Sequence, residues 1–123
     1  MSKKKLPPSN DKIPEEEMLL AEALAEAHAR KLQWCAYAPY VDGECCAVGA
    51  LALVQLTKEG KPIPKDGGTG AEIIDNTTAI KLSGLGDWAA RSVMDGNDSY
   101  SPDASGRWVT LGIAFRQAFG DQD

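Results

Sequence analysis

Residues 44–57 read Glu-Cys-Cys-Ala-Val-Gly-Ala-Leu-Ala-Leu-Val-Gln-Leu-Thr, and this stretch decides the fold. Wound as a helix, Ala47, Val48, Ala50, Leu51, Leu53, Val54 and Leu56 surround the axis instead of forming one stripe. A helix that is apolar on every side belongs in the interior of a fold. Its small residues, Gly49, Ala50 and Ala52, leave room for a neighbouring helix to approach closely. The expectation is a central, buried helix from about Glu44 to Thr57.

On its N-terminal side the pattern predicts an amphipathic helix starting near Pro14. Proline suits a first helical turn because its missing N–H would be unpaired there anyway. Glu15, Glu16 and Glu17 favour the positive end of the helix dipole, and Arg30 and Lys31 the negative end. Leu20, Leu24, His28 and Leu32 recur every four residues on one face, while Glu22, Glu26 and Arg30 gather opposite. Glu26 and Arg30 have the spacing of a helical ion pair.

Residues 33–44 form an aromatic connection in which Pro39 and Asp42-Gly43 act as breakers. On the C-terminal side, residues 58–70 are a loop dense in Gly, Pro and Lys. Thr69 and Glu72 have the T-x-x-E spacing of a capping box, which predicts a third helix from Gly70 to Gly84. A fourth helix from Gly86 to Met94 carries Trp88 on its inward side, with Gly96 as its stop. Residues 95–102 are expected to be a polar turn, with Asp98 or Ser101 capping a last helix. That helix brings Trp108, Leu111, Phe115 and Phe119 to one face and stops at Gly120. The predicted fold is all-α: one compact domain of about five helices over 13–120, with a flexible basic arm over 1–12.

Charge bounds the function. The 123 residues carry a net charge of −5, which argues against broad nucleic-acid binding, since that needs a basic surface to displace counterions. The first twelve residues are locally basic, with Lys3, Lys4, Lys5 and Lys12 against Asp11. The longest apolar run, Cys45 to Val54, is far short of the roughly 20 residues that span a bilayer. An odd cysteine count of three makes no disulfide framework. A reducing, cytoplasmic setting is the expectation, with no signal peptide, membrane or cofactor.

Five groups could carry chemistry. Cys45 or Cys46, at a helix start that lowers thiol pKa, could act as a nucleophile with His28 as base. His28, Cys35, Cys45 and Cys46 have the ligand types of a zinc site, although without its usual spacing. Asp95, Asn97, Ser99 and Asp103 place oxygens at alternate positions, as calcium loops do, but Tyr100 and Gly106 stand where such loops need Gly and Glu. Residues 66–70 are a glycine-rich loop before a helix, without the continuation of a phosphate cradle. Trp34, Tyr37 and Tyr40 lie in a connection, where binding residues concentrate, and are the residue types of interface hot spots.

Residues 34–51 (WCAYAPYVDGECCAVGAL), followed by Asn97-Asp98 and an amphipathic last helix, resemble a family of short uncharacterised proteins encoded by bacteria and their phages. In that family a Trp and a small-x-aromatic segment precede C-x-x-G-A-L at a helix start, and an N-D turn precedes the last helix. Cys46, Gly49, Ala50 and Leu51 match the central motif, and Asn97-Asp98 the turn. The resemblance runs from Leu19 to Phe119. It departs at the insertion over 58–70 and at the extra Cys45. It implies a small all-helical domain and supplies no activity. The expected function is non-enzymatic: a small protein-binding or regulatory protein of bacterial or phage origin, with Trp34, Tyr37 and Tyr40 as anchors. A thiol-dependent enzyme and a calcium-stabilised helical domain are the alternatives.

Overall fold

The central helix forms where the all-round apolar pattern places it. In the structure, a computed structural model that describes residues 15–99 and 106–120, α1 spans Glu15–Ala29 and α2 Ala47–Glu59, with every α2 residue from Ala47 to Leu53 buried. Leu53 and Val48 are fully enclosed, and burial of side chains of that size contributes about 1.5–3 kcal/mol each. Gly60 ends α2 in the left-handed conformation, returning its N–H to the carbonyls of Leu56 and Thr57. α1 packs on α2 through a seam of alanine. Ala23 and Ala27 are fully buried, Leu20 and Leu24 flank the seam, and His28 faces solvent. The Glu26–Arg30 pair closes at 2.7 Å. Thr57 joins it to α2, accepting from Arg30 and donating to Glu26.

Beside the helices lies a small mixed sheet, so the chain is predominantly helical and not purely all-α. β1 (Gln33–Trp34), β2 (Tyr40–Val41), β3 (Glu44–Cys45) and β4 (Ile73–Ile74) pair in the order β1-β3-β2-β4. β1 runs parallel to β3, and the other pairs are antiparallel. Asp42 and Gly43, at φ 43° and 95°, do more than break a period. Two consecutive positive φ values make the tight turn that joins strands of a hairpin. Strands of two residues are too short to display alternation, which is why pattern reading passed over them.

The second half of the chain departs from expectation at several residues. Thr69 and Glu72 form no capping box. Asp66 closes the turn by accepting from Gly68, Thr69 and the Thr69 hydroxyl, and the Glu72 backbone pairs with that of Lys65 in an antiparallel β-bridge. α3 accordingly starts only at Asn76 and runs to Ser83, capped by Asp75, whose side chain accepts from the Thr78 N–H at 2.8 Å.

α4 spans Asp87–Asp98, so Gly96 does not end it and Asn97-Asp98 are its last two residues instead of a turn. Gly96 is there for packing. A Cβ on it would stand 2.1 Å from the Val109 carbonyl oxygen, and one on Gly112 would stand 2.1 Å from that of Val93. The two glycines let α4 and α5 (Arg107–Phe115) cross backbone to backbone. Gly106, at φ 107°, precedes α5 in place of Asp98 or Ser101 as cap, and α5 passes into a π turn over Arg116–Gly120.

Trp88, expected inward, is 74% exposed. Trp108 is half-buried against the core, beneath the Arg107 guanidinium. Among the described residues no helix is long and apolar enough to cross a membrane. The basic arm over 1–12, Pro14, Tyr100, Ser101, Pro102 and Asp103 lie outside the described residues.

Candidate functional site

The aromatic connection, the two adjacent cysteines and the Asn-Asp pair all meet at the start of α2. The 35–39 loop folds over that helix end. The Cys46 N–H donates to the Pro39 carbonyl at 2.9 Å. That carbonyl oxygen lies so close to Gly49 that any Cβ there would overlap it at 1.6 Å. Glycine is therefore required at position 49 by a neighbouring backbone and not by its own conformation.

Asn97 holds the junction together. Its side chain is fully buried, and a buried amide is costly unless its donors and acceptors are matched. Its Oδ1 accepts from the Trp34 indole at 2.9 Å and from the Ala47 N–H at 3.1 Å. Its Nδ2 donates to the Cys35 carbonyl at 3.2 Å and to Asp98 Oδ1 at 2.8 Å. Ala47 is the first residue of α2, so its N–H is one of the orphan donors of a helix start. Cys46, the N-cap residue, makes no side-chain cap, and Asn97 supplies that oxygen from another helix.

The three predicted anchor aromatics do not make one exposed patch. Tyr40 is buried, and its hydroxyl donates to Glu72 at 2.8 Å. Burial and that carboxylate push its pKa up to about 12. Trp34 is half-buried, with Gly120 against its ring and the Arg116 guanidinium 5.4 Å away. Tyr37 alone is presented to solvent, 78% exposed. Its φ of 68° is unusual for a bulky residue. Its hydroxyl donates weakly to the Asp98 carbonyl at 3.4 Å. It stands on the rim of a recess of about 40 Å³ that also involves Pro39, Cys46, Asn76, Met94 and Asp98.

Burial raises the pKa of all three thiols. A helix start was expected to lower their pKa, but burial outweighs it. Cys46 is pushed up to about 12, chiefly by burial and with a further push from Asp98, against the N–H groups of Gly49 and Val48. Burial raises Cys45 further still, and it raises Cys35 to about 11, helped by Glu44 and Asp98. His28 packs its ring edge against Phe119, with centroids 5.1 Å apart.

Two of the candidate calcium ligands are helical. Asp95 and Asn97 stand on α4, and the Asn97 oxygen already accepts two hydrogen bonds. Ser99 follows the helix end, and Asp103 lies outside the described residues. Among the described residues no group of three or more His, Cys, Asp or Glu could hold a metal ion, so His28, Cys35, Cys45 and Cys46 do not assemble as zinc ligands. The 66–70 loop leads into β4 and not directly into a helix.

Sequence reasoning placed Asn97 in a turn, as a calcium-loop oxygen or part of the Asn-Asp motif, and not on a buried helix face. A signal was present, since Ala90, Val93 and Asn97 continue one helical face. Comparison with known proteins finds no matching family model, no similar curated protein and no similar solved structure.

Proposed function

We propose that this chain is a small non-enzymatic protein-binding or regulatory domain of bacterial or phage type, docking through Tyr37. The observation that carries this reading is the state of Tyr37 itself: a large aromatic side chain held out in solvent on a backbone at φ 68°. A left-handed backbone costs a bulky residue about 1–3 kcal/mol, and such outliers gather at binding and switch sites. Tyrosine also supplies a large contact area with little side-chain freedom to lose. The cross-links of Asn97 keep the loop that carries it rigid, and rigid presentation reduces the entropy lost on binding.

The test compares three chains immobilised in turn against a bacterial extract. The reading expects wild type to enrich a discrete protein, Tyr37→Ala to lose it, and Cys46→Ala to retain it. Loss in Cys46→Ala with retention in Tyr37→Ala would turn the assignment toward thiol chemistry.

A further inference from the structure

Residues of α1 and α5, none of them shared with the Tyr37 recess, line a groove of about 510 Å³, within the range of pockets that hold ligands and anchor side chains. Leu20, Leu111 and Ala114 give it an apolar floor, and Glu16, Glu17 and Thr110 stand along it. Arg107 sits at one side with its charge engaged, paired with Glu15 at 2.8 Å and with Glu16, and lying 4.3 Å from the Trp108 ring centroid. Glu15, Glu16 and Glu17 outnumber that one arginine, and Glu17 has no ion pair among the described residues. The groove is thus apolar below and acidic at the rim.

We propose that this groove is a second docking surface, for a basic segment of another protein that carries an apolar anchor side chain. The anchor would fill the floor between the helices, in the manner of an amphipathic helix laid into a groove. Lysine or arginine beside the anchor would face Glu17. Those rim charges are exposed and screened by salt, so they set orientation and on-rate while the anchor supplies affinity.

The experiment is fluorescence anisotropy on the full chain. The probe is a fluorescein-labelled peptide of lysine and leucine at helical spacing, with a second peptide carrying glutamate in place of lysine. The lysine peptide is expected to bind saturably and more weakly as salt rises, and the glutamate peptide not to bind. Glu17→Lys should weaken binding about fivefold or more. Thr110→Trp, which plugs the groove from an exposed helix position, should abolish it, and Trp88→Ala should leave it intact. Circular dichroism confirms that each variant is folded.

Absence of binding by the lysine peptide, equal binding by the glutamate peptide, or binding unchanged in Thr110→Trp would overturn the proposal. Binding seen only after removal of residues 1–14 would assign the groove to the chain's own basic arm. A dimer in sedimentation that Thr110→Trp converts to monomer would assign it to a second copy. Either of those also overturns it.

Discussion

The Trp34 indole donates to the Asn97 side-chain oxygen at 2.9 Å across 63 positions of sequence, and the same oxygen accepts from the first amide of the central helix. One amide thus joins β1, α2 and α4. Asn97→Ala would leave the Trp34 and Ala47 donors and the Cys35 acceptor unmatched at a buried junction. With each of these three groups costing about 1–3 kcal/mol, we expect a loss of roughly 3 kcal/mol or more in urea denaturation. A change below about 0.5 kcal/mol, the range of ordinary surface substitutions, would refute the role given to Asn97.

Asn97→Asp separates the donor role from the acceptor role. It keeps the Oδ1 acceptor, replaces the Nδ2 donor with a second oxygen, and sets a second carboxyl beside Asp98. Burial and that neighbour would raise the folded-state pKa of the new carboxyl above its unfolded value. Its relative stability is then present at low pH and lost as pH rises through the folded pKa. The melting-temperature deficit against wild type should shrink on acidification from pH ~7 to pH ~4. A deficit independent of pH would remove the charge from the explanation.

The α4–α5 crossing makes a steric prediction. Gly96→Ala or Gly112→Ala forces a methyl group into a carbonyl oxygen 2.1 Å away, and overpacking of this kind costs about 1–3 kcal/mol, sometimes more. Gly67→Ala, in open space with no positive φ, should change stability by less than about 0.5 kcal/mol. Thermal melts of the three variants check the contrast.

Tyr37 should show a trade between stability and binding. Asparagine tolerates positive φ better than tyrosine, so Tyr37→Asn is expected to raise stability by up to about 1 kcal/mol while weakening the docking proposed above. Chemical denaturation reads the first effect. A stability loss instead would mean that the Tyr37 ring is there to pack.

The central helix was legible because its apolar residues leave no polar face, and α1 because three glutamates precede an amphipathic run. What the pattern hid was residues answering to partners far along the chain. Gly96 and Asn97 carry the local signature of a turn, yet α5 needs the one for close approach, and Trp34 and Ala47 need the other for hydrogen bonding. Asp42-Gly43 reads locally as a break, although it is the turn that makes the hairpin. Thr69 and Glu72 had a capping spacing, but Asp66 and Lys65 engage them first. At the candidate site the meeting of the 35–39 loop, Cys46 and Asn97-Asp98 was foreshadowed by the motif, whereas the burial of Tyr40 and the exposure of Tyr37 depend on packing that no local pattern encodes.

The buried ionisable groups predict alkaline sensitivity. Cys46 and Cys35 titrate at about 12 and 11 in the folded chain, against an ordinary 9.0, and Tyr40 at about 12 against 10.0. A raised folded-state pKa gives stability that is whole below the unfolded value and lost as pH climbs through the folded one. Stability should hold up to pH 9.0 and fall between 9.0 and about 12. Cys46→Ala should flatten that fall, and a urea midpoint series against pH would show it.

Whether the start of α2 is a structural junction or a reaction centre is read most directly by iodoacetamide labelling of the folded chain against pH, with mass spectrometry locating each adduct. We predict that Cys45 and Cys46 stay unmodified at pH ~6 and react only on unfolding, while half-buried Cys35 labels slowly and faster as pH rises. Rapid labelling of Cys46 at pH ~6, lost in His28→Ala, would contradict the account and identify an activated thiol.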